Sequence, residues 1–220
     1  MVLFAVVSRS VTAADAVYVA TYLDLRAHEV EADRTMVLKY ARDAHRAHGN
    51  LSAIPLEQIG RPSRFMVIES WQDQVDLAAF ERSAPAAVLR LAMQQLLRSP
   101  ENQRVHSGLS IDMRSTLSAP TALYVVTHVD VLPMHPTAEE LLRQASSAGR
   151  AAPGNLRYDT YQQVPPHSNH FTVFAIWANQ RDFDASEDGI QWRTFAAALA
   201  PMLGAPYDDR LYKRVTADQP

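Results

Sequence analysis

The chain has 220 residues, a formal net charge of −3 and no cysteine. That length holds one large or two small domains, and 47% hydrophobic residues is enough to build a sizeable core. The mild acidity argues against a nucleic-acid footprint, and the missing cysteine excludes disulfides, thiolate nucleophiles and Cys-ligated metal. No stretch approaches the ~18 apolar residues of a membrane helix. With no basic residue ahead of its short apolar run, the opening Met1–Val7 segment reads as a short strand or frayed leader rather than a signal peptide. The expectation is a cytoplasmic chain.

The first half reads in order as follows. Val17 to Leu25 alternates, with Val17, Val19, Thr21, Leu23 and Leu25 on one face and Tyr18, Ala20, Tyr22 and Asp24 on the other, which predicts a strand between two environments. Asp33 to His48 carries helical spacing and Gly49 can end that helix. Ser52–Ile59 and Phe65–Trp71 read as strands about a Gly60–Ser63 turn. Gln74–Arg98 is a helical pattern interrupted near Pro85, and Arg104–Leu109 is a last short strand. The second half predicts strand Leu123–Val131, helix Thr137–Ala151, strands near Leu156–Val164 and Phe171–Trp177, a helix ending near Leu203 and a strand near Arg210–Val215.

The halves are copies. Ala16-Val17-Tyr18-Val19-Ala20-Thr21 returns as Ala122-Leu123-Tyr124-Val125-Val126-Thr127, 106 positions later. Gly49-Asn50-Leu51 returns as Gly154-Asn155-Leu156, and Phe65, Val67, Trp71, Asp76 and Glu81 match Phe171, Val173, Trp177, Asp182 and Glu187. The order β-α-β-β-α-β, twice, is the ferredoxin-like arrangement of an α+β protein, with helices on one face of an antiparallel sheet. The units are placed at 14–112 and 121–216, joined by a polar linker at 113–120. A tandem chain can cover the free face of each sheet with the other.

Several segments then resemble the antibiotic-biosynthesis-monooxygenase family. In the second unit they are Leu123–Thr127, Pro153–Tyr158, Asn169–Trp177 and Ala198–Met202. In the first they are Gly49–Leu51, Arg64–Trp71 and Asp73–Glu81. The resemblance implies a dimeric α+β barrel, here formed as an internal pseudo-dimer with further homo-oligomerisation open. It also implies cofactor-free oxygenation of a hydroquinone, anthrone or polyketide-type aromatic by dioxygen, with no metal, nucleic-acid or membrane partner. That chemistry requires an apolar pocket, a proton acceptor and donors for a growing oxyanion.

By strand alternation Phe65, Val67, Glu69 and Trp71 share a face, as do Phe171, Val173, Ala175 and Trp177. The resemblance places Trp71 and Trp177 in the substrate pocket; the alternative for both is core packing. Glu69 is the candidate base, because a desolvated carboxyl rises toward neutrality; a salt bridge to Arg64 or Arg90 is the alternative. Arg90 resembles an arginine that contacts substrate oxygens in anthrone oxygenases, or is a solvated helix charge. Expected substrate contacts are Phe65, Val67, Trp177, Tyr158, Tyr161 and His128; sheet packing is the alternative for the tyrosines and a surface role for His128. His45 and His48 lack a third metal ligand and read as a solvated helix end.

Two departures stand out. The oxygenases' Asn four residues before the Trp is replaced by Val67 and Val173, and the heme-degrading members' His about ten residues after it is replaced by Phe80-Glu81 and Ser186-Glu187. These departures argue against heme binding and motivate the non-catalytic alternative; the leading expectation, from the shared strand face, is an oxygenase whose first unit carries Glu69, Arg90 and Trp71. The alternatives are a non-catalytic binder or pathway scaffold and an oxygen-independent cyclase or isomerase.

Overall fold

The computed structural model describes residues 16–26, 30–112, 114 and 121–217. The N-terminal Met1–Val7 segment and nearly all of the expected 113–120 linker lie outside them. Unit one runs β1 (Val17–Asp24), α1 (Val30–Arg46), β2 (Asn50–Gln58), β3 (Arg64–Trp71), α2 (Gln74–Glu81), α3 (Ala84–Leu96), β4 (Asn102–Ser110). Unit two runs β5 (Leu123–Asp130), α4 (Ala138–Ala151), β6 (Asn155–Gln163), β7 (His170–Trp177), α5 (Gln180–Glu187), α6 (Ile190–Leu199), β8 (Asp208–Arg214).

Each predicted second helix is broken in two. In unit one Ser83 caps α3 by accepting the Ala86 N–H, with Pro85 in the first turn where its missing N–H costs nothing. In unit two the break falls at Gly189, with no proline to announce it. Gly49 and Gly154 adopt φ +74° and +78°, and the carboxylates of Asp76 and Asp182 stand where a Cβ would lie. That close approach accounts for the paired recurrence of these glycines and aspartates.

The strands close into one eight-stranded antiparallel barrel in the order β1-β3-β2-β8-β5-β7-β6-β4. The two four-stranded sheets join edge to edge: Leu56–Gln58 of β2 pair with β8, and His106–Ser110 of β4 pair with β6. Closure leaves no open sheet edge for aggregation.

The alternation in β1 now has a cause. Val19 and Leu23 face outward under the helices with Val37, Phe65, Val67 and Trp71. Tyr18 and Ala20 face the barrel interior with Met66, Tyr124, Tyr161, Phe174 and Tyr212. Inside, Tyr18 of unit one stacks on Tyr161 of unit two, ring centroids 4.6 Å apart.

Candidate active site in the helix–sheet layer

The outward strand faces and the helices above them enclose the same layer in both units, and three side chains decide how full it is. In unit one α1 contributes Tyr40, β3 contributes Glu69 and the end of α2 contributes Phe80. The corresponding residues of unit two are Ala145, Ala175 and Ser186. Unit two keeps a cavity of about 400 Å³ there, walled by Tyr158, Trp177, Phe183, Trp192, Phe195 and Tyr207.

These walls hold one another. Trp192 lies 5.2 Å from both Phe195 and Tyr207, and Trp177 meets Phe183 edge-on at 6.1 Å. Tyr158 fits because α4 has Gly149 opposite it: an added Cβ would meet the ring at 2.4 Å. Unit one has Ala44 and Ala53 at these two positions, so the larger residue and its clearance appear together.

Two carboxyls line the unit-two cavity, Glu187 at the end of α5 and Asp209 on β8. Burial, reinforced by the charges of Asp209, Asp184 and Asp188, raises Glu187 to about 7. Burial also raises Asp209, against the hydroxyl of Thr127 that donates to it. The Nε1 of Trp177 is buried without a hydrogen-bond partner. The layer therefore combines an apolar slot, a carboxyl that titrates near neutrality and a spare N–H donor.

In unit one the layer is largely filled. Tyr40 donates to Glu69 at 3.2 Å and meets Phe80 edge-on, and Phe80 lies 5.2 Å from Trp71. Glu69 and Trp71 are each 0% exposed. Burial, with Glu81 and Glu101 nearby, raises Glu69 to about 8 despite the tyrosine bond. A polar cavity of about 280 Å³ remains beside them, between Tyr40, Glu81, Arg90, Glu101 and Gln103.

The sequence candidates are thus dispersed. Trp177 and Tyr158 line the unit-two cavity. Phe65 and Val67 are closed into the unit-one core. Glu69 is neither the surface pair to Arg64 nor one to Arg90: Arg64 lies against Asp24, and Tyr40 is the partner of Glu69. Arg90 donates to the Glu81 carbonyl at 2.6 Å on the helix surface, so the expected Glu69–Arg90 couple is not assembled.

Tyr161 and His128 face the barrel interior, on the opposite side of the sheet from the cavity. Tyr161 donates to Asp159 at 2.9 Å. His128 meets Tyr22 at 2.7 Å and Arg104 at 3.2 Å, and burial with the nearby arginines lowers it to about 3, so it stays neutral. Tyr161 sits inside because of period-2 geometry, since it lies three positions, an odd number, from Tyr158 and the two therefore take opposite faces.

Sequence reasoning passed over Glu187, Asp209, Trp192 and Tyr207. The available signal was the exchange of large residues for small ones at Tyr40/Ala145, Glu69/Ala175 and Phe80/Ser186. Among the described residues no cluster of three or more His, Cys, Asp or Glu could hold a metal ion, and no helix is long and apolar enough to cross a membrane.

The fold and its layers define a tandem α+β barrel in which one chain supplies both halves. Residues 124–198 match the family described as antibiotic biosynthesis monooxygenase. That match lies within unit two; over both units the likeness to solved structures is one of fold.

A candidate monooxygenase of Fusobacterium nucleatum superposes with TM-score 0.81 at 10% identity, covering 92% of this chain and 94% of that one. A second candidate monooxygenase, from Lactobacillus acidophilus, gives TM-score 0.74 at 11% identity over 92% and 95%. An anthrone oxidase-like protein gives 0.72 at 11% identity over 92% of each. At such identities the likeness is one of fold. The comparison with curated proteins found no significant match.

Proposed function

We propose that the chain is a cofactor-free monooxygenase-like enzyme and that its substrate, an electron-rich hydroquinone, anthrone or polyketide-type aromatic, occupies the unit-two cavity. The observation that carries the reading is the apolar, aromatic-walled space of about 400 Å³ with Glu187 raised to about 7 in its wall. A planar polycycle would stack between Trp177, Trp192 and Tyr158. The names of the similar structures, a candidate monooxygenase and an anthrone oxidase-like protein, support the same reaction class.

In this reading Glu187, as carboxylate, removes a proton from the activated methylene of an anthrone-type substrate. The carbanion delocalises into the ring system and reduces dioxygen, giving a carbon hydroperoxide. Loss of water then leaves a carbonyl: one oxygen atom stays on carbon and the other departs with two hydrogens. Trp177 Nε1 and the hydroxyls of Tyr158 and Tyr207 are the donors available to the developing oxyanion. Unit one, with its layer filled by Tyr40, Glu69 and Phe80, is the scaffold half.

Oxygen uptake by the purified chain with a panel of hydroquinones and anthrones, product masses read against an enzyme-free control, tests this. The expected result is enzyme-dependent uptake with one oxygen atom added. Glu187→Gln should lower turnover about 10²–10⁴-fold with thermal stability retained, and unaltered turnover in that variant would remove Glu187 from the account. A second reading, an oxygen-independent isomerase or cyclase, draws on Asp209 as a second carboxyl in the same wall. Product formed under argon would select it.

A further inference from the structure

The tandem barrel has two seams where a first helix and its following strand meet the last strand of the other unit, and these seams differ. At the seam of α4 and β6, the chain itself fills the space. Beyond the end of β4 the chain reaches Asp112, whose carboxylate accepts the Tyr158 N–H at 3.3 Å and two bonds from Arg114 Nε at 2.9 and 3.0 Å. Arg143 donates to the Leu109 carbonyl, and Arg150 to the Tyr158 carbonyl and the Ser110 hydroxyl, both at 2.9 Å. Asn155 is satisfied on both sides, its Nδ2 by the Arg157 carbonyl and its Oδ1 by Arg114. A carboxylate and the arginines around it thus seal this seam.

At the corresponding seam of α1, β2 and β8 the described residues leave space between them. Two adjoining cavities of about 430 and 230 Å³ share His45, Ala53 and Arg214 as walls. Arg42 and Arg46 flank the larger one, and among the described residues no carboxylate lines either cavity. Arg157 reaches the smaller cavity but is held by Asp159 at 2.7 Å. Among the described residues Arg42, Arg46 and Arg214 form no ion pair, Arg42 donating only to the Leu38 carbonyl of its own helix. Beside them Asn50, the counterpart of Asn155, has a buried Nδ2 without a partner and its Oδ1 against His45 at 3.4 Å.

We propose that this seam binds a small ligand through an oxyanion group, carboxylate or phosphate. The anion lies among Arg42, Arg46 and Arg214, which line the larger cavity. The organic part lies on Leu38, Ala53 and Val215. Guanidinium forks suit planar carboxylates and phosphates alike, and their concentration in a chain of net charge −3 gives the anion a local potential that the whole molecule lacks. The site is independent of the reading given to the unit-two cavity.

The test is calorimetric titration of the full chain near neutral pH and low salt with inorganic phosphate and, separately, with succinate. Saturable one-site binding of either probe is expected, and the tighter one identifies the anion class. Arg46→Gln and Arg214→Gln should each weaken it about tenfold or more without moving the melting temperature, whereas Arg61→Gln, on an exposed turn, should not. No saturation into the tens of millimolar, or binding indifferent to both arginine variants, would overturn the proposal. Asp218, outside the described residues, is the residue that the 106-position repeat offset pairs with Asp112. Binding that appears only in Asp218→Asn would show that the seam serves the chain's own carboxylate, and would equally overturn it.

Discussion

Tyr40, Glu69 and Phe80 fill the layer between helices and sheet in unit one, and Ala145, Ala175 and Ser186 leave it open in unit two. The strands beneath are the same, down to Trp71 and Trp177 in the same register with the partner strand. A duplicated fold can therefore divide its duties by side-chain volume alone. One layer is largely filled, with a cavity of about 280 Å³ left beside Tyr40 and Phe80; the other leaves out side-chain volume and surrounds the gap with aromatics that pack on one another.

The comparison is most severely broken by making unit two resemble unit one. Ala145→Tyr with Ser186→Phe should occupy the cavity and reduce turnover at least 100-fold, since misplacing or excluding a bound substrate forfeits its orientation. The fold should survive, as judged by circular dichroism. Full activity in the double variant would move the substrate out of this layer.

The converse change opens unit one. Tyr40→Ala should cost about 3–5 kcal/mol of stability in urea titration, from the cavity created and from the lost partner of Glu69. A loss below about 1 kcal/mol would mean that the layer relaxes around the gap.

Glu69 sharpens the contrast through pH. Its folded value of about 8 lies above the ordinary carboxyl value, so the folded chain binds the extra proton and stability falls as pH rises from about 4.5 to 8. Glu69→Gln lacks this dependence. Its melting temperature should match the parent near pH 5 and exceed it near pH 9, a swing on the order of a few kcal/mol. Parallel melting curves across that range would show that Glu69 carries no such penalty.

The smallest expected effect is Asp209→Asn. The charge of Asp209 helps to raise Glu187, beside Asp184 and Asp188. Its removal lowers Glu187, so the acidic limb of kcat/KM, expected near 7, should move to lower pH by about one unit or less. An unmoved limb would separate the two carboxyls.

Much of this architecture was legible because it rests on local periodicity. Alternation in Val17–Leu25 and the matched Phe65–Trp71 and Phe171–Trp177 segments fixed strands, faces and the repeat. The paired Gly49/Gly154 and Asp76/Asp182 marked turns whose backbone and carboxylate need each other. The break at Gly189 was not legible, since a glycine before Ile190 reads equally well as part of a helix until the packing of α5 and α6 is known.

The site was less legible. Alternation correctly set Glu69 and Trp71 on one face, but whether the layer over that face is full or hollow depends on Tyr40 and Phe80, which arrive from two other elements. Glu187 and Asp209 likewise meet only because α5 and β8 cross the same layer.

By itself, then, the sequence determined two βαββαβ units, their strand faces and their resemblance to one family, all properties set by neighbouring residues along the chain. Tertiary structure alone decided that β2 joins β8 and β4 joins β6, that the unit-one layer is largely filled while unit two keeps a cavity, and that Asp112 and Arg114 close one seam. Those outcomes depend on volumes and charges summed across distant segments, which no period in the sequence records.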